Sequence, residues 1–249
     1  MRVLLLAGTL EARRVAESLA RAGIDAVASL AGGTAQPVAL ALPTRRGGFG
    51  GADGFRAYLA EAGISAVLDA THPFAARISA RTAAICGEIG LRYGQILRAP
   101  WTPGTGDRWH IVEDAGAAIQ LIPPDATAFL ATGPGSIAQF AALQARAFCR
   151  RIDPTPDPCP LPRGDWLVAR PPYSLDAEIA LFERLGIDWL MSKNAGGTAG
   201  RAKLEAARHL GIKVIMLARP RRSAAEQAAP VFEQSDEAIA WINTLISVG

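Results

Sequence analysis

Two short segments hold the residue types best suited to gripping an anionic ligand and moving a proton. One is Asp69-Ala70-Thr71-His72-Pro73-Phe74, which sets a carboxylate, a hydroxyl and an imidazole just ahead of a helical stretch. His72 suits proton donation or contact with a bound ring. The plainer alternative is a histidine that caps the next helix, with Asp69 anchoring the turn by accepting backbone N–H bonds. The other segment is Ser192-Lys193-Asn194-Ala195-Gly196-Gly197-Thr198. Gly196 and Gly197 let the backbone bend closely around a ligand, Lys193 brings an ammonium, and Asn194 brings both donors and acceptors. Lys203 follows at least one turn into the next helical stretch, and Arg219 follows the last strand-like run. The chain has only three lysines (Lys193, Lys203 and Lys213), and two of them fall in this Gly-rich region, as though a compact ammonium were wanted there. The GxxxxGK[ST] order of a nucleotide-hydrolysing phosphate loop is absent.

A third candidate is the turn Gly8-Thr9-Leu10-Glu11-Ala12-Arg13 after the first strand-like run. It lacks the full GxGxxG fingerprint, so an ordinary turn remains the alternative. Gly8 still permits close approach to a pyrophosphate, and Thr9 offers a hydroxyl and a backbone N–H. The second strand-like run ends at Ser29 with no acidic residue to hold a ribose hydroxyl, and Arg45 and Arg46 follow further on. A hydroxyl with cations suits a 2′-phosphate and favours NADPH over NADH, the alternative being a solvated arginine pair.

These segments all stand at the ends of predicted strands. Short apolar runs at 3–7, 27–30, 66–70 and 92–97 alternate with amphipathic stretches at 11–22, 53–62 and 75–89, and residues 31–51 read as one long Gly-rich connection. A second series places strands at 128–131, 145–152, 166–169, 189–191 and 213–217, with helices at 136–143, 176–185, 201–210 and 235–245. Alternation of this kind gives parallel sheets with helices on both faces. The Pro- and Gly-bearing stretch 98–107 is the expected linker. The expected architecture is α/β: two Rossmann-like, doubly wound parallel-sheet domains flanking a cleft, over residues 1–99 and 100–249. Ligands of such sheets bind beyond the carboxyl ends of the strands.

Composition narrows the function classes. Half the residues are hydrophobic and a fifth are charged, as in a globular protein, and the net charge of +3 argues against a nucleic-acid partner. No apolar run is long enough to span a bilayer, and no signal peptide is read, so a cytoplasmic location is expected. Cys86, Cys149 and Cys159 are widely spaced from one another and from His72, His110 and His209, so neither a disulfide framework nor a metal site is expected.

Taken in order, these segments resemble the precorrin-6A reductase family of cobalamin biosynthesis. The matching stretches run from Leu6 to Arg13, Ser29 to Gly32, Arg46 to Gly51 and Asp69 to Ala75, then Ser192 to Gly197, Ala202 to Arg208 and Arg219-Pro220. The resemblance implies an NADPH-dependent reduction of precorrin-6A to precorrin-6B, by hydride transfer with a proton added to the adjacent carbon. It implies a cofactor held mainly by the N-terminal domain, through Gly8, Thr9, Glu11, Ser29, Arg45, Arg46, Thr71, His72 and Pro73. The polycarboxylate tetrapyrrole is then met by Lys193, Asn194, Gly196, Gly197, Lys203 and Arg219, with no metal. His72, Lys193 or a bound water supplies the proton, and a monomer or weak homo-oligomer suffices. Two departures are visible: Gly32-Gly33-Thr34 replaces the family's Gly-Arg-Thr, and Thr132-Gly133-Pro134 replaces Thr-Gly-Arg. Rival readings are a non-catalytic NADP-binding regulator and an NADPH reductase of another small molecule. A Tyr-x-x-x-Lys pair is absent, because Tyr58, Tyr93 and Tyr173 are followed four residues on by Ala62, Leu97 and Ala177.

Overall fold

The computed structural model describes residues 1–32 and 38–247, so Gly33 and Thr34 of the first departure lie outside the described residues. The chain forms two compact units, one of Met1–Ala99 with the segment from Pro220 onward, the other of Pro100–Arg219. The first unit opens with β1 (Val3–Leu6), α1 (Leu10–Arg21), β2 (Ala26–Leu30) and β3 (Thr44–Arg46). It continues through α2 (Gly51–Glu61), β4 (Ala66–Asp69), α3 (Ala76–Glu88) and β5 (Arg92–Ile96). The second unit holds β6 (Trp109–Val112), α4 (Ala115–Leu121), β7 (Thr127–Ala131), α5 (Pro134–Ile137) and β8 (Arg146–Arg151). It then adds β9 (Gly164–Val168), α6 (Leu175–Leu185), β10 (Trp189–Lys193), α7 (Ala202–His209) and β11 (Lys213–Leu217). The chain returns to the first unit with α8 (Ala224–Ala228), β12 (Val231–Phe232) and α9 (Ser235–Ser247).

Strand β1 shows why its sheet is covered on both faces. Its four residues are all buried, and they alternate between two cores. Val3 and Leu5 pack with Val15 and Leu19 of α1 and Ile242 of α9. Leu4 and Leu6 pack with Phe55 and Leu59 of α2 and Cys86 of α3. A strand apolar on both sides can only be satisfied by helices on both sides. In the second unit Phe129, Leu190, Val214 and Met216 on one face of the sheet meet Phe182 of α6 and Leu204 of α7.

Both sheets are parallel throughout, and they share one strand order. The first runs β3-β2-β1-β4-β5-β12, the second β9-β8-β7-β10-β11-β6. Each is the 3-2-1-4-5-6 order of dinucleotide-binding sheets, with the sixth position filled from outside the run of five: β12 in one unit, β6 in the other. The order reverses between β1 and β4, and between β7 and β10. Ligands of such sheets bind at those two points.

The C-terminal segment corrects the expected boundary. Residues 220–249 were assigned with 100–219, but Val231 and Phe232 pair with Gln95 and Ile96 of β5. Phe232 and Trp241 also close over Gly94, where a Cβ would stand 3.0–3.1 Å from their rings. A side chain there would force the rings apart by a few tenths of an ångström, and with the strand pairing this packing ties β12 and α9 to the first sheet. Four elements absent from the sequence reading are short and lie at edges or on the surface: β3, β6, β12 and α8. The helix α4 was also missed, and the one expected over 136–143 is just α5 followed by a tighter turn at Ala138–Phe140. No helix among the described residues is long and apolar enough to cross a membrane.

Candidate functional site

At the first reversal point, the turn between β1 and α1 is built by Gly8 and Thr9. Gly8 has φ +143°, which side-chain-bearing residues rarely adopt, and the space where a Cβ would stand is open to 4 Å. Thr9 caps α1 by accepting the Ala12 N–H at 3.2 Å. The same hydroxyl donates to the Ala70 carbonyl at 2.8 Å, tying the end of β1 to the end of β4. The turn is therefore held open and rigid at the amino end of a twelve-residue helix, where unpaired N–H groups favour an anion. Glu11 is paired with Arg98, both largely buried, so its carboxylate is committed to fixing the helix against the end of β5.

Beside this turn, Ser29 on β2 is the register partner of Arg45 on β3. Arg45 donates to Ser29 Oγ, Gly47 O and Gly48 O, each at 2.9 Å. Its guanidinium lies 3.9 Å above the Phe49 ring centre and 5.1 Å from that of Tyr58. Among the described residues no carboxylate pairs with it. Arg46 is exposed and makes none of these contacts. The structure thus brings Gly8, Thr9, Ser29 and Arg45 to neighbouring strand ends and leaves Arg46 at the surface.

The β4 end completes the first unit's site. Asp69 is fully buried; it accepts the Thr71 N–H and the Tyr93 hydroxyl, each at 3.0 Å. Burial, with the charge of Asp69 beside it, raises the Tyr93 pKa and keeps that hydroxyl a donor. Asp69 therefore sets the shape of the turn rather than meeting a ligand. Thr71 Oγ1 stands 3.3 Å from Ser79 Oγ. His72 is exposed, and its Nδ1 accepts the Phe74 N–H at 3.2 Å, so in the neutral ring Nε2 bears the proton. Pro73, half-buried, follows it in the turn.

In the second unit, Lys193 ends β10 half-buried, and desolvation lowers its pKa from the usual lysine value. The residues around it have structural tasks. Asn194 donates to Trp101 O at 2.9 Å and accepts the Trp101 N–H at 2.8 Å, so both ends of its amide are taken. Gly197 O accepts the Trp101 indole N–H at 2.7 Å. Arg219 donates to the carbonyls of Asn194 and Ala195 at 2.8 and 3.1 Å. Gly196 and Gly197, at φ +68° and +74°, curl the loop that these bonds fix. Asn194, Gly197 and Arg219 thus hold the loop in shape, and Lys193 and Lys203 are the ammonium groups beside it.

Lys203, on the first turn of α7, donates to Gly200 O at 2.6 Å and lies 5.1 Å from the Trp101 ring centre. Burial brings its pKa down to about 8, despite an opposing pull from Glu178. It lines a cavity of about 200 Å³ with Arg150, Tyr173, Glu178, Gly133 and Pro134. This cavity adjoins the second reversal point, beyond β7. Arg150, Tyr173 and Glu178 were not among the sequence candidates. The one local signal for them was charge where the pattern demands burial: Glu178 sits one helical turn before the core residue Phe182, and Arg150 lies inside a strand.

Comparison with known proteins follows the same lines. The family described as CbiJ, precorrin-6x reductase CbiJ/CobK, matches residues 2–243. The chain is 46% identical over 221 residues to a precorrin-6A reductase of Rhodobacter capsulatus, covering 88% of each. It is 41% identical over 250 residues to a precorrin-6A reductase of Rhodococcus erythropolis, covering 98% of each. A solved structure titled CobK precorrin-6A reductase superposes with a TM-score of 0.92 at 41% identity, over 98% of this chain and 96% of that one.

Proposed function

This chain belongs to the precorrin-6x reductase family and reduces precorrin-6A in cobalamin biosynthesis, and we propose that its nicotinamide cofactor is NADPH, held by the first unit. The observation that carries this reading is Arg45: a guanidinium locked on β3, beside Ser29, with no carboxylate partner among the described residues. Three of its five N–H donors are used, which leaves Nε–H and one Nη2 hydrogen for a phosphate. An enzyme built for NADH would instead place an acidic side chain near Ser29 to accept from the ribose. The open Gly8 turn and the α1 amino end fit the pyrophosphate, and Thr71, His72 and Pro73 border the same strand ends. When bound, the cofactor supplies a hydride.

The remaining work falls to the chain's own groups. His72 and Lys193 are the proposed proton donors, His72 through Nε2 and Lys193 through an ammonium whose pKa burial has already lowered. Lys193 and Lys203 meet the carboxylates of the tetrapyrrole, on a loop that Asn194, Gly196, Gly197 and Arg219 hold in shape. We also propose a cytoplasmic location and a monomer or weak homo-oligomer, as the sequence reading expects. The test is wild-type turnover of precorrin-6A with each cofactor. The expected result is a kcat/KM for NADPH that exceeds that for NADH by roughly tenfold or more, the worth of a charge-assisted phosphate contact. Equal use of both would overturn the assignment.

A further inference from the structure

The cavity beyond β7 contains more charge than its size requires. Arg150 and Glu178 form a buried pair at 2.8 Å, with side chains 8% and 2% exposed. The guanidinium lies between the rings of Phe129 and Tyr173, at 4.6 and 4.2 Å from their centres. The pair is incompletely satisfied: Arg150 Nε and Glu178 Oε2 make no hydrogen bond among the described residues. Buried polar atoms without partners are uncommon, and here both belong to residues that line a cavity. Lys203 enters the same space from α7, which packs on α6.

We propose that this cavity is a subsite for one carboxylate-bearing arm of the tetrapyrrole, with Lys203 as the charge partner and the Arg150–Glu178 pair as its fixed floor. This rests on precorrin-6A being the substrate. Arg150 and Glu178 cancel in charge, which leaves Lys203 and Arg151 as the cations lining the same space. Arg151 already donates to the Asp153 carbonyl and lies 4.9 Å from the Trp166 ring centre, so the carboxylate of the arm is assigned to Lys203. The walls that Ala131, Ile152, Ala199 and Ala202 contribute suit the methylenes of an aliphatic arm. The volume, about 200 Å³, lies below the roughly 300 Å³ at which pockets begin to enclose whole small molecules. It therefore holds a limb of the substrate and not its ring. Glu178 on α6 and Arg150 on β8 are the charged groups acting on Lys203, Arg151 on β8 is a further cation lining the cavity, and Tyr173 is its neutral titratable group.

Steady-state kinetics with precorrin-6A and NADPH varied separately test the assignment in Lys203→Met and Lys203→Arg, with circular dichroism as the check on folding. The expected result is a rise of roughly tenfold or more in KM for precorrin-6A in Lys203→Met, with KM for NADPH unchanged. In the wild type, KM for precorrin-6A climbs above pH about 8, as Lys203 loses its proton. That climb is absent in Lys203→Met and absent below pH 10 in Lys203→Arg, which keeps its charge. Wild-type-like KM and pH dependence in a folded Lys203→Met would overturn the proposal. So would a rise in KM for NADPH alone, which would give the cavity to a phosphate. Failure of the wild type to turn over precorrin-6A would instead refute the substrate reading, and it shows without any variant.

Discussion

Replacing Arg45 with alanine removes the group on which the NADPH assignment stands, and the structure sets the size of the effect. The side chain is held by three hydrogen bonds at 2.9 Å and by Phe49 at 3.9 Å, so little conformational freedom is left to lose when a phosphate arrives. A charge-assisted contact of this kind contributes about 1.5–3 kcal/mol, which corresponds to a roughly 10–150-fold weakening of NADPH when it is lost. NADH lacks the 2′-phosphate, so its kcat/KM should change by no more than about threefold. The discrimination between the cofactors therefore collapses in Arg45→Ala, while Arg45→Lys keeps the charge without the planar fork and falls between. Of the groups left without Arg45, the Gly47 and Gly48 carbonyls belong to a half-buried and an exposed residue and only Ser29 is buried, so folding should survive. The assay is the loss of NADPH or NADH absorbance with precorrin-6A, alongside direct titration of each cofactor. Equal losses for both cofactors would mean that Arg45 only shapes the loop, and the reasoning would fail.

Three further outcomes follow from the packing and the charges. Glu178→Ala leaves Arg150 as an uncompensated buried cation and should lower stability by about 3–5 kcal/mol, read from urea denaturation; a loss below about 1 kcal/mol would show the pair to be dispensable. Gly54→Ala would put a Cβ 1.9 Å from the Phe49 carbonyl, and overpacking of this sort costs about 1–3 kcal/mol. Phe49 carries the Arg45 guanidinium, so KM for NADPH should rise along with the loss in Tm, and no change in either would contradict the contact. Lys203 has a folded pKa near 8, below its unfolded value, so between pH 8 and 10.5 the unfolded chain binds more protons than the folded one. Stability should therefore rise with pH across that window in the wild type and lack this rise in Lys203→Met, as measured by denaturation at fixed pH.

The parts legible in the sequence were those with a local cause. Strands such as Val3–Leu6 are apolar on both faces, and the small polar residues after them mark where a parallel sheet presents its ligand edge. That rule singles out Gly8, Thr9 and Ser29, whereas Arg45 was singled out, together with Arg46, only as a cation further along the Gly-rich connection. The strand bearing Arg45 was not, because three partly exposed residues have no period to read. Asn194 was recognisable as polar and special, but its partner Trp101 lies 93 residues away, so its clamping role appears only in the fold. The Arg150–Glu178–Lys203 cavity is hidden for the same reason: a strand, a helix start and a helix turn from three separate stretches converge there. The C-terminal helix carries an amphipathic pattern that fits either sheet, and the pairing of β12 with β5, the packing of Ile242 on Val15 and Leu19, and the bare face of Gly94 place it on the first.

The central claim is that this chain passes a hydride from NADPH to precorrin-6A. Turnover with NADPH carrying two deuteriums at the nicotinamide C4, followed by mass spectrometry of the tetrapyrrole, tests it most directly. One deuterium appearing in each product molecule is the expected result, with slower labelling from NADH deuterated in the same way. A reduced product without deuterium, or label arriving equally well from NADH, would contradict it.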